Sequence, residues 1–136
     1  MTFNIGDSRI YLVDREKAVA ITKDQSVLQD KLDRGLITDA EVANDPERNI
    51  LLQCIGTSLE VEPEVRRGEL NGNATVVVCS DGFWRKLDLP EIHNKLCPQM
   101  CITPDDMLEE CRKLAELAMS RREQDNISVA AMNIAY

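Results

Sequence analysis

Three aspartates stand where apolar runs end, and carboxylates placed there can hold a metal ion. In VVVCSDGFW, Val76 to Trp84, Asp81 follows a run of β-branched residues and precedes Gly82, Phe83 and Trp84. The side chain after the last core residue of a buried strand projects from the sheet edge, a position that ligands favour in mixed α/β folds. Asp125, with Asn126 beside it, leaves a polar loop and enters a hydrophobic stretch, and Asp24 closes AVAITKD. Three oxygen donors at strand junctions, in a chain with one histidine, suit a hard cation such as Mg²⁺ or Mn²⁺. Each acid taken alone also reads as a cap or a turn. Asp-Gly is a common turn dipeptide, and Asp125 can order its own loop through neighbouring N–H groups.

Other chemistries fit less well. An apolar strand ending in Asp also opens the phosphatases that form an aspartyl-phosphate, but those need a second Asp two residues later as general acid, and Phe83 stands there. His93, Cys97 and Cys101 are spaced four apart like zinc ligands on a helix face, yet Pro98 interrupts the helix and no fourth ligand is obvious. The five cysteines, Cys54, Cys79, Cys97, Cys101 and Cys111, are odd in number and lie mostly on apolar faces, which favours reduced core residues over a disulfide framework.

The elements that must position the acids can be read from patterning. IYLVD and AVAIT flank Arg15-Glu16-Lys17 as a hairpin. Val27, Leu28 and Leu32 recur at helical spacing, with Gly35 at the position of a left-handed cap. Thr38 to Glu41 has the pattern of a capping box for a second helix, ended by Asp45-Pro46. NILLQCIG and EVRRGEL are weaker strands, and Asn71-Gly72-Asn73 is a turn launching ATVVVCS, whose hydrophobicity predicts burial on both faces. Asp88-Leu89-Pro90-Glu91 and Thr103-Pro104-Asp105-Asp106 each open a helix, and Met107, Leu108, Cys111, Leu114, Ala115 and Ala118 form the second one's stripe for packing on a sheet. ISVAAMNIA is the closing strand.

Composition bounds the function. A chain of 136 residues suits one domain with a real core. Its net charge of -8 argues against a nucleic-acid partner, since phosphate binding wants clustered Lys and Arg. No apolar stretch approaches the roughly 20 residues that span a bilayer, and the first residues lack the features of a signal peptide, so the expectation is a cytoplasmic protein without a membrane partner.

Taken together, NIGDSRIYLV, AITKDQS, GLIT, ERNILLQCIG, VVVCSDGFW and EQDNISVAAM, in this order and spacing, resemble the C-terminal part of the metal-dependent serine/threonine protein phosphatases of type 2C. The likeness covers essentially the whole chain. It implies an α+β fold, a partial αββα sandwich of antiparallel strands with helices packed on one side, as a single C-terminal portion over residues 1–136. It also implies hydrolysis of phosphoserine and phosphothreonine in phosphoprotein substrates by water activated by two Mn²⁺ or Mg²⁺ ions, with a third, weaker ion in some members. Asp81 and Asp125 would match metal ligands, with Ser80, Gly82 and Asn126 around them. Asp24 would match a ligand of the third ion, where the family continues Asp-His and this chain has Gln25. Asp7, Ser8 and Arg9 would be scaffold.

The family's N-terminal half carries an Asp-Gly-x-Gly-Gly motif and a phosphate-binding arginine that these residues lack. The resemblance therefore implies an incomplete catalytic domain, inactive alone. The second reading is a non-catalytic module that self-associates through its exposed sheet or recognises a protein partner.

Overall fold

The computed structural model describes residues 1–57 and 59–135 of the chain. In chain order the elements are β1 (Thr2–Asn4), β2 (Arg9–Val13), β3 (Ala18–Ala20), α1 (Val27–Asp33), a 3₁₀ turn (Val42–Asn44), β4 (Glu64–Arg66), β5 (Ala74–Cys79), α2 (Asp81–Trp84), α3 (Leu89–Leu96), α4 (Pro104–Ser120) and β6 (Val129–Ile134). They pack as two compact units. One comprises Met1–Ser8 with Thr22–Arg67, and the other Arg9–Ile21 with the chain from Gly68 onward.

In the first unit β1 pairs antiparallel with β4, Phe3 opposite Val65. Ser26 caps α1 by accepting the Gln29 N–H at 3.2 Å, and Gly35 takes the left-handed conformation that ends it, at a φ of +66°. The expected second helix is only the 3₁₀ turn: the Glu41 carboxylate does accept the Thr38 N–H and hydroxyl, both at 2.8 Å, but Asp45, directly before Pro46, is already extended at a ψ of 126° and stops the chain after one turn. NILLQCIG is likewise not a strand. Its one ladder contact is the isolated bridge of Leu51 to Ser26.

The second unit is a four-stranded antiparallel sheet in the order β3-β2-β5-β6, with α3 and α4 against one side. Side chains alternate across a pleated strand, so Tyr11, Val13, Val77 and Cys79 face the helices and form the core with Phe83, Ile92, Leu96 and Leu114. Both helices open on complete capping boxes, Asp88 with Glu91 and Thr103 with Asp106. In α4 the core side is Glu110, Cys111, Leu114 and Ala118, whereas Leu108 of the expected stripe is exposed.

β5 is not buried on both faces. Its helix side is closed, while on the other side Val78 is 46% exposed and Met132 of β6, opposite Val76, is 59% exposed. Ile10, Leu12, Val76 and Ala130 share that face by register, which makes it an apolar sheet surface without a charged side chain among them.

Candidate functional site

Asp81 does not end β5 in a turn; it starts the single-turn helix α2, with Ser80 before it. Phe83, fully buried, locks that turn into the core. Trp84 lies under Arg9, whose guanidinium carbon is 3.3 Å from the indole centroid, a cation–π contact, and Arg9 also donates to the Tyr11 hydroxyl.

Gly82 is required here by space. A Cβ on Gly82 would lie 2.6 Å from the Asn126 carbonyl oxygen and 3.2 Å from that of Asp125, so the Asp81 and Asp125 loops touch backbone to backbone. Ser80 stitches the same junction. Its hydroxyl donates to the Asn126 carbonyl and accepts the Ser128 N–H, each at 3.0 Å. The sequence expectation gave Gly82 the role of permitting a turn, and the structure replaces it: Gly82 is helical, and close approach forbids a side chain.

The two carboxylates differ in surroundings. Asp125 is exposed, with one oxygen accepting the Asn126 N–H at 2.8 Å. Asp81 is partly buried, and both its oxygens are engaged, one by the Gly82 N–H at 2.8 Å and the other by Arg85 at 2.6 Å. Cys79, the last residue of β5, offers no competing ligand or nucleophile, since burial pushes its thiol up to about 12.

Asp24, Gln25, Asp7 and Ser8 belong to the first unit and Arg9 to the second. Asp24 lies between β3 and α1, outside regular structure. The Gln25 amide is structural: it accepts the Gly6 N–H at 2.9 Å and donates to the Glu62 carbonyl at 2.7 Å. The residue that sequence reasoning missed is Arg85. Its spacing of four from Asp81 becomes a signal only once this stretch is helical, and the sequence expectation was a turn.

An apolar cleft of about 740 Å³ runs between α4 and β6, lined by Met107, Cys111, Ala115 and Val129 and, at the Asp125 loop, by Asp125 and Asn126. Arg112 is its one basic lining residue, so it does not suit a phosphate group.

The comparisons with known proteins agree on one family. A Streptococcus pyogenes protein described as protein phosphatase 2C-type is 32% identical over 130 residues, covering 96% of this chain and 51% of that protein. The serine/threonine protein phosphatase PstP of Mycobacterium tuberculosis is 30% identical over 131 residues, covering 96% of the chain and 24% of PstP. Among solved structures, the serine/threonine phosphatase of Streptococcus agalactiae superposes with a TM-score of 0.85 at 31% identity, over 98% of this chain and 53% of that one. The chain carries the C-terminal part of the type 2C phosphatase fold. No protein-family model matches it.

The chain thus spans about half the length of several type 2C relatives and about a quarter of PstP. The PstP catalytic domain, which superposes with a TM-score of 0.75 at 28% identity over 97% of this chain and 52% of that one, was solved with two manganese ions. Tested against such a type 2C metal group, this chain's donors fit in kind and fall short in number. Asp81 and Asp125 are hard oxygen donors on touching loops, but among the described residues no three His, Cys, Asp or Glu side chains converge. No helix of the described residues is long and apolar enough to cross a membrane.

Proposed function

We propose that this chain is one side of the catalytic site of a metal-dependent phosphoprotein phosphatase, acting on phosphoserine and phosphothreonine in signalling proteins of the cytoplasm. The observation that carries this reading is the contact of the Asp81 and Asp125 loops across Gly82. Asp81 and Asp125 would hold the ions, Mn²⁺ or Mg²⁺, together with donors from the remainder of the catalytic domain. Bound ions of this kind lower the pKa of water and offset charge on a transferring phosphoryl group.

The chain's own residues do the positioning. Ser80 and Gly82 hold the two loops together, Phe83 anchors the turn, and the Arg9–Trp84 stack fixes its outer side. Asp24, in the first unit, is kept as a candidate ligand of a further ion, and Gln25 beside it is a hydrogen-bonding clamp without acid–base function.

The test is Mn²⁺-dependent hydrolysis of a phosphothreonine peptide, by this chain alone and by the protein as its own cells make it. We expect no turnover above background from the chain, and turnover from the native product that Asp81→Asn abolishes. Asp81-dependent turnover by the chain alone would contradict the shared site. Native turnover indifferent to Asp81→Asn would contradict the ligand assignment.

A second reading has an observation of its own in the apolar sheet face around Val78 and Met132. A phosphatase-like binding module would cover that face with a protein partner or a second copy of the chain. It predicts concentration-dependent association in sedimentation, reduced by Met132→Glu; a monomer at all concentrations would remove the self-association.

A further inference from the structure

Asp81 already has a cation. The Arg85 guanidinium lies 2.6 Å from one oxygen of Asp81, a short charge-assisted contact, and the Gly82 N–H takes the other oxygen. An ion pair four residues apart on an exposed helix is worth little, but this one is sheltered, with the side chains of Arg85 and Asp81 only 28% and 21% exposed. Arg85 is also near the Trp84 ring. Its guanidinium carbon is 6.0 Å from the Trp84 centroid, while Arg9 stacks at 3.3 Å, so two cations lie about one indole beside the acid.

We infer that Arg85 is the resident counter-ion of Asp81, occupying the carboxylate in place of a divalent cation until one displaces it. This rests on the proposal that Asp81 is a cation ligand. Arg85 and a dication compete for the same carboxylate. A dication reaching Asp81 must either break the Arg85 bond or share the carboxylate with a fixed positive charge, and each course weakens binding. Arg85 is therefore a positioning residue that sets metal affinity. It keeps Asp81 neutralised and oriented when no ion is present, and it makes retention of the ion depend on ligands from elsewhere in the domain.

The experiment is calorimetric titration of MnCl₂ into the protein as its own cells make it and into its variants. Arg85→Ala is expected to bind Mn²⁺ about tenfold or more tightly than wild type, the order set by losing one charge-assisted bond. Arg85→Lys, which keeps the charge, should stay at the wild-type affinity. The gain should vanish in Arg85→Ala combined with Asp81→Asn. Equal affinity of wild type and Arg85→Ala, including no binding by either, would overturn the inference, as would a gain that survives Asp81→Asn or one shown equally by Arg85→Lys. Arg85→Gln, checked for folding by circular dichroism, carries the same expectation as Arg85→Ala if that variant does not fold. Asp81-dependent turnover by the native protein, with Mn²⁺ affinity unchanged in Arg85→Ala, would remove this role for Arg85 and leave the phosphatase reading standing. An Asp81-dependent gain in a protein without phosphatase activity would do the reverse.

Discussion

At the scale of single residues, the site is built by contacts that a residue type permits or forbids. Gly82 shows this most directly: any side chain there would meet the Asn126 carbonyl at 2.6 Å, and that neighbour is backbone, which cannot rotate away. Gly82→Ala is therefore expected to destabilise the fold by about 1–3 kcal/mol, the usual cost of overpacking, and to push the two acidic loops apart. Urea denaturation checks it, and an unchanged midpoint would mean the loops do not touch. The sequence showed Asp81 and Asp125 as acids at strand junctions, since apolar patterning marks where strands end. It could not show why Gly82 is glycine, because the reason lies in a loop more than forty residues away. Arg85 was missed because the sequence reads a turn at Asp81-Gly82, and a spacing of four brings two side chains together only once that stretch is helical.

At the scale of elements, local chemistry decided most of what the sequence could reveal. The hairpin of β2 and β3, the capped starts of α3 and α4, the Gly35 cap and the turn before β5 are all written in neighbouring residues. NILLQCIG failed as a strand because ladder partners decide such short segments and periodicity does not record them, and the helix from Thr38 stopped after one turn because the residue before Pro46 is held extended. The helix caps also carry a pH signature. The Arg121 hydrogen bond, then the Asp88 N–H, hold Glu91 below its ordinary 4.5, the Thr103 hydroxyl and N–H hold Asp106 below 3.8, and Lys113 with Lys95 holds Glu110 below 4.5. A carboxylate whose folded pKa is depressed contributes stability that is present above its unfolded pKa and lost as pH falls through the folded one. Melting temperature should thus be level above about pH 5 and fall steeply below about pH 4. Glu91→Gln should flatten part of that fall, and an equal acid loss in the variant would show that the Arg121 pair contributes nothing.

At the scale of the whole molecule, burial separates one cysteine from four. Cys79, Cys97, Cys101 and Cys111 are buried in the second unit, and burial pushes the thiols of Cys79 and Cys101 up to about 12 and about 11, whereas Cys54 is half-exposed in the first. Since the thiolate is the reactive form, alkylation of the native protein at neutral pH should modify Cys54 rapidly and the other four only on unfolding. Rapid modification of a second thiol would place an opening in the core. The open sheet face was hidden from strand patterning, because a strand as hydrophobic as β5 reads as covered on both sides whether or not its partner layer lies within the same chain, and an exposed sheet was expected only from the resemblance to part of a larger fold.

The central claim is that these residues form one side of a larger phosphatase site, and the most direct measurement is the intact mass of the protein isolated from its own cells. The account predicts a product about twice the 15.3 kDa of this chain or heavier, in line with relatives of which the chain spans 51%. A native product of 15.3 kDa would contradict it, and would leave the binding module as the reading to pursue.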